Sequence, residues 1–305
     1  MKTNRTLWLA TLLSAGLVGA QAPTADGRLP ALPKGFDPAY LAGKKIVSTI
    51  KLSKVENGAS PAATGGSSIS VAGPSDQLIS RRLQVKKTGS SGELSLERIV
   101  QQVQMTVVSV LGKSVYDSEN TFEQDQVAAA LGQRYDPYVR KTFKSVYQPT
   151  TGTLSQQDTD PKFDNLWSQN VPNLISVPAF QGFFLRLPPK SVSPGSSWKD
   201  SVVVGSTTWL NTYKVLSQQG EILVVRIENR GLTGAGSTSQ TNRSGAVTAT
   251  STSDTSYEGE ARVRQSSGFI EELDVMKKSN ATVLALGQNM RNSTTSRITV
   301  KNTVD

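Results

Sequence analysis

Apolar and polar positions alternate in short runs over most of this chain, and few stretches carry the three-to-four spacing of an amphipathic helix. In 45–53, Ile46, Ile50 and Leu52 fall on one face of a strand. Strands are predicted over 79–87 and 93–110, joined through Gly89 and Gly92. The second is long enough to bend or break, with Val103, Met105 and Val107 on one side. A short strand over 113–116 follows Gly112, and a pair over 140–147 and 152–156 turns through Gln148, Pro149 and Gly152. Beyond residue 200 the pattern reads as repeated hairpins: 201–205, 207–216, 222–228, 257–264, 269–277, 281–286 and 296–301. Gln218-Gln219-Gly220 and Ser266-Ser267-Gly268 supply two of the turns.

Helical signals are fewer. A helix over 121–131 is predicted, with Asn120 as its cap, Ala128 to Ala130 as helix formers and Gly132 as its stop. A second, short helix is predicted over 163–169, before a proline-punctuated stretch. The fold class is therefore mainly β with minor α: antiparallel meanders forming two curved sheets or half-barrels, with a short helix packed across a sheet. The domain plan is a leader over 1–20, an extended Pro-rich arm over 21–43, an N-terminal β-rich half over 44–160 and a C-terminal antiparallel half over 161–305. Residues 57–75 and 234–256 are too rich in Gly, Ser, Ala and Thr to bury themselves and read as loops, the second as a mobile loop or frayed hairpin.

The leader changes the picture most. Lys2 and Arg5 precede an uncharged run from Leu7 to Val18, followed by small residues, the layout of a secretory signal peptide. That run is too short to cross a bilayer core of about 30 Å. Cleavage after Ala20 would leave 285 of the 305 residues, without a transmembrane segment, and would lower the formal charge from +9 to +7. The chain has no Cys, hence no disulfide and no acylated cysteine anchor, and a free periplasmic or secreted bacterial product is expected. Its basic balance favours polyanions, yet the pairs Lys44-Lys45, Arg81-Arg82, Lys86-Lys87 and Lys277-Lys278 are scattered, as on the solvent faces and ends of strands. They fit no specific nucleic-acid motif.

With no His and no Cys, Ser-His-Asp hydrolysis, thiol catalysis and ordinary zinc sites are excluded. Asp158, Asp160 and Asp164 have the density of a calcium loop without its remaining ligands or its glycine, and Asp160-Pro161 reads better as a helix start. Glu271, Glu272 and Asp274 lie within one strand, Glu271 facing away from the other two, and read as an exposed face paired with Lys or Arg. Gly234-Ala235-Gly236 lacks the rest of a phosphate loop, so neither metal nor cofactor is expected. Phe183, Phe184, Trp198 and Trp209 gather mid-chain; they are core aromatics or, in the functional reading, the lining of a ligand pocket.

Several segments, in order, carry a resemblance: Tyr116-Asp117-Ser118, Thr150 to Leu154, Phe184 to Trp198 with its Pro194-Gly195-Ser196-Ser197-Trp198 turn, Tyr213-Lys214-Val215, Tyr257-Glu258-Gly259 and Ser267 to Ile270. From about residue 40 onward the chain resembles a family of uncharacterised bacterial exported proteins with a Pro/Val/Gly/Trp turn-and-strand signature. The family's acidic residue between Gly and Trp is absent here, where Ser196 and Ser197 stand. The resemblance implies a β-rich exported domain and no particular activity. The expected function is non-catalytic binding of an apolar or amphiphilic, lipid-like envelope ligand in a concave β groove. The alternatives are adhesion to anionic envelope polymers and, further off, a carboxylate-based hydrolase.

Overall fold

The computed structural model describes residues 37–305 apart from 58–74, 89–91, 110–111, 121–123, 156, 159, 189–190, 205–206, 233–235, 243–244 and 286–287. The leader, most of the Pro-rich arm and nearly all of the 57–75 segment lie outside the described residues. The chain is mainly β with minor α, as the alternation predicts. Strands β1 (Lys45–Asn57), β2 (Asp76–Thr88), β3 (Glu93–Ser109), β4 (Gly112–Asp117), β5 (Thr142–Gln148) and β6 (Thr153–Ser155) form the N-terminal part. Strands β7 (Ser197–Val204), β8 (Thr207–Gln219), β9 (Ile222–Leu232), β10 (Gly236–Asn242), β11 (Gly245–Arg264), β12 (Ile270–Ala285) and β13 (Gln288–Val304) form the rest. Among the described residues no helix is long and apolar enough to cross a membrane.

The two halves share one unclosed antiparallel sheet, because β1 pairs with β13 along nearly its whole length. The strand order is β6-β5-β3-β2-β1-β13-β12-β11-β9-β8-β7, with β4 added on β3 and β10 on β11. Where two sheets are expected, the first and last strands close the gap between them. The expected strands over 269–277 and 281–286 are one, β12, since the polar stretch between them keeps its pairing with β13. Residues 236–242 pair with 245–251 as a hairpin, so strand-permissive Thr and Val carry the ladder here.

One face of this sheet is apolar across its breadth. Val215, Val225, Ala261, Leu273, Val300, Ile50, Ile79 and Val103 form a continuous buried row across eight adjacent strands. Burial of each large aliphatic side chain contributes about 1.5–3 kcal/mol. The bend expected in β3 is a bulge opposite Ser80 and Arg81. Before it Leu94, Leu96, Arg98 and Val100 are buried; after it Val103, Met105 and Val107 are. Without that extra residue the two sets would face opposite sides. The other face carries cross-strand ion pairs between exposed side chains, such as Arg297 with Asp274 and Arg262 with Glu272. Each contributes at most about 1 kcal/mol.

The helices begin and end elsewhere than the caps first suggest. Helix α1 spans Gln126–Tyr135, not 121–131, because Asp125 rather than Asn120 caps it, accepting from the Ala128 amide at 2.9 Å. Gly132 lies inside the helix, where its bare Cα packs near Tyr116. Helix α2 spans Pro161–Ser168, and Asp160 accepts from the Lys162 and Phe163 amides. The end of the Pro-rich arm is also not extended: Pro38–Leu41 forms one 3-10 turn capped by Asp37, with Leu41 fully buried.

Candidate functional site

Residues 161–187 cover the apolar rows of the inner sheet face. Phe163, Trp167, Phe180, Phe183, Phe184 and Leu185 are all 0% exposed, so this segment fills the face like a plug. It is short of regular structure, and its backbone groups need partners. The sheet supplies them. Asn302 donates to the Gly182 and Ile270 carbonyls at 2.9 and 2.8 Å, and the Phe183 carbonyl accepts from the Ile270 amide at 2.8 Å.

The firmest clamp is Arg81. Basic pairs on solvent faces are the expectation, but Arg81 occupies the inward phase of Ile79-x-Arg81-x-Leu83 and is 0% exposed. Its guanidinium donates to the Trp167 carbonyl at 2.5 Å, the Gln181 carbonyl at 2.9 Å and Ser48 Oγ at 3.2 Å. It lies over the rings of Phe183 and Trp167 at 4.4 and 5.0 Å. No carboxylate appears among these partners, and burial lowers its pKa to about 9. Gly182 makes the approach possible: its φ is +80°, and a Cβ there would stand 2.5 Å from Arg81 Nη2. One strand over, Arg98 is equally buried and donates to Asp164 at 2.7 Å.

Where the plug ends, the inner face turns polar. Asp200, Asn211, Asn229, Tyr257, Lys277, Ser296 and Lys54 stand opposite one another in register on seven adjacent strands, β7 to β1. Asn211 donates to Asp200 Oδ1 at 2.7 Å, Tyr213 to the same oxygen at 3.3 Å, and Asn229 to Asn211 Oδ1 at 2.5 Å. Lys277 reaches Asn170 Oδ1 at 3.4 Å across the plug's edge. Burial raises the Asp200 pKa against the smaller, opposite effects of Asn211, Arg186 and Tyr213. It lowers that of Lys277 and raises those of Tyr213 and Tyr257. Among the described residues, Asp200 Oδ2 and Asn229 Oδ1 are buried without a hydrogen-bond partner.

The next row outward is half-open: Trp209, Thr255 and Ser279 are partly exposed beside buried Val202. Trp209 lies flat over Gly231, where a Cβ would meet its ring at 2.9 Å, and tilts against Tyr257 at 6.0 Å. Trp198 stacks on Tyr213 at 4.9 Å and donates to the Arg186 carbonyl at 3.1 Å, delivered by the Pro194-Gly195 turn. Of the four aromatics singled out in the sequence, Trp198 and Trp209 thus flank the polar row. Phe183 and Phe184 sit within the plug, against Trp167, and against Phe180 and Phe269.

The acidic clusters are dispersed. Asp160 caps α2, Asp164 holds Arg98, and Asp158 accepts from the Lys144 amide. Glu271 pairs with Arg264, and Glu272 and Asp274 pair with Arg and Lys on the outer face. Among the described residues no group of three or more acidic side chains is placed to hold a metal. Sequence reasoning missed Arg81, Arg98 and the polar row. Their inward phase is visible in the alternation; their alignment across seven strands depends on registers that no local pattern encodes.

Neither a scan against protein-family models nor a search of curated proteins finds a match to this chain.

Proposed function

We propose that the chain is a non-catalytic, exported binding protein for an amphiphile held on the open end of the inner sheet face. The apolar portion lies against Trp209 and Val202, and a hydroxyl-bearing head group meets the polar row. The observation that carries this reading is the pair of orphan acceptors, Asp200 Oδ2 and Asn229 Oδ1, beside a partly exposed indole laid over Gly231. A buried acceptor without a donor costs about 1–3 kcal/mol, which a donor from a ligand would recover. An indole platform beside amide and carboxylate groups suits a molecule with one apolar and one hydrogen-bonding end. Export rests on the leader, and the family resemblance supports the same setting.

The test is a tryptophan-fluorescence titration of the mature protein with dodecyl maltoside below its micelle concentration, with maltose as control. A saturable response to the amphiphile, at least about tenfold weaker in Trp209→Ala, is expected. Equal affinity in that variant, equal response to maltose, or no saturable response refutes the assignment.

A further inference from the structure

A cavity lies away from the inner-face row, between the last turn of α1 and the exposed side of α2. Its volume is about 420 Å³, within the size range of small-molecule sites. Arg134 and Lys162 line it from opposite helices, Tyr135 and Tyr138 supply aromatic surface, and Asn165 and Gln169 supply carboxamides. Among the described residues, no carboxylate lines it. The three acids adjoining it in sequence are each engaged elsewhere. Asp136 accepts from the Tyr116 hydroxyl at 2.5 Å, Asp160 from the α2 amides, and Asp164 from Arg98. Arg134 and Lys162 stand in no ion pair among the described residues, and Arg134 lies over the Tyr135 ring at 5.3 Å.

We infer that this interhelical cleft binds an acidic saccharide, a carboxylated sugar unit of roughly disaccharide size. Two cations without a counter-charge call for an anion. Tyrosine rings and carboxamides call for a ligand with hydroxyls and a flat apolar side, which inorganic anions lack. The inference is independent of the amphiphile reading, since no residue is shared between the two sites.

Calorimetric titration of the mature protein with digalacturonic acid, its neutral dimethyl ester and inorganic phosphate tests it. The acid is expected to bind, with ester and phosphate each weaker by at least about tenfold. Arg134→Ala/Lys162→Ala is expected to weaken the acid by about tenfold or more while leaving the far-ultraviolet circular dichroism unchanged, because both side chains are exposed. Unchanged affinity in the double variant, equal affinity for phosphate, or no binding of the acid up to about 10 mM overturns it. Binding of an acidic polymer but not the disaccharide would mean diffuse charge attraction, and would overturn it too.

Discussion

Replacing Arg81 by Met separates the stability of the sheet from the hold of its plug. The guanidinium donates to two plug carbonyls, at Trp167 and Gln181, and is fully buried with no carboxylate among its partners. Its loss orphans both carbonyls at about 1–3 kcal/mol each, or roughly 2–6 kcal/mol together. Against this stands relief of a desolvated charge: a pKa lowered from 12.5 to about 9 corresponds to roughly 4–5 kcal/mol. Methionine retains most of the stem volume between Trp167 and Phe183, so no large cavity opens. The opposing effects nearly cancel, and urea unfolding of Arg81→Met is expected within about 2 kcal/mol of the parent. The plug alone loses its two polar tethers, so amide exchange over 167–185 is expected to quicken by about tenfold or more relative to the sheet. A parallel fall in global stability and plug protection, or unchanged exchange in the plug, would refute the clamp.

Two further outcomes follow from the same geometry. Asp164→Ala leaves Arg98 buried with an uncompensated charge, and a loss of about 3–5 kcal/mol in urea unfolding is expected. Asp200→Asn bears on pH: burial raises the folded-state pKa of Asp200 above its unfolded value. Its contribution is therefore full below the ordinary carboxylate range and lost as pH rises through the folded value. The parent should lose more stability than Asp200→Asn across that window; identical pH profiles by thermal unfolding would contradict the assignment.

Most of the sheet is legible in the sequence because period-two alternation survives in nearly every strand. Ile46, Ile50 and Leu52, and likewise Val103, Met105 and Val107, face inward as their spacing requires. What is not legible depends on contacts distant in the chain. Nothing near Lys45 announces that β1 will join β13, which turns two expected sheets into one. The cap of α1 moves from Asn120 to Asp125 because both residue types can cap and local sequence does not rank them. Arg81, one of the scattered basic pairs, reads as a surface charge until the plug is in place, since the carbonyls that hold it are 86 and 100 residues away. Trp198 and Trp209 reach the polar row only because β7 and β8 pair in one particular register.

The polar side chains of the inner face divide by what lies over them. Among the described residues Arg98 Nε and Nη2 lack partners, as does Asn302 Oδ1, but these atoms are sealed beneath the aromatic plug. Asp200 Oδ2 and Asn229 Oδ1 also lack partners among the described residues, yet they border a row in which Trp209 and Thr255 are partly exposed. A purely structural row would be expected to satisfy its own members, because a half-satisfied polar network is less stable than an apolar one. The plug covers the apolar rows, and the polar row meets its edge, where Asn229 donates to the Asn173 carbonyl at 3.3 Å and Lys277 reaches Asn170. The row's unspent acceptors lie where the covering stops, and that boundary gives the binding reading its physical basis.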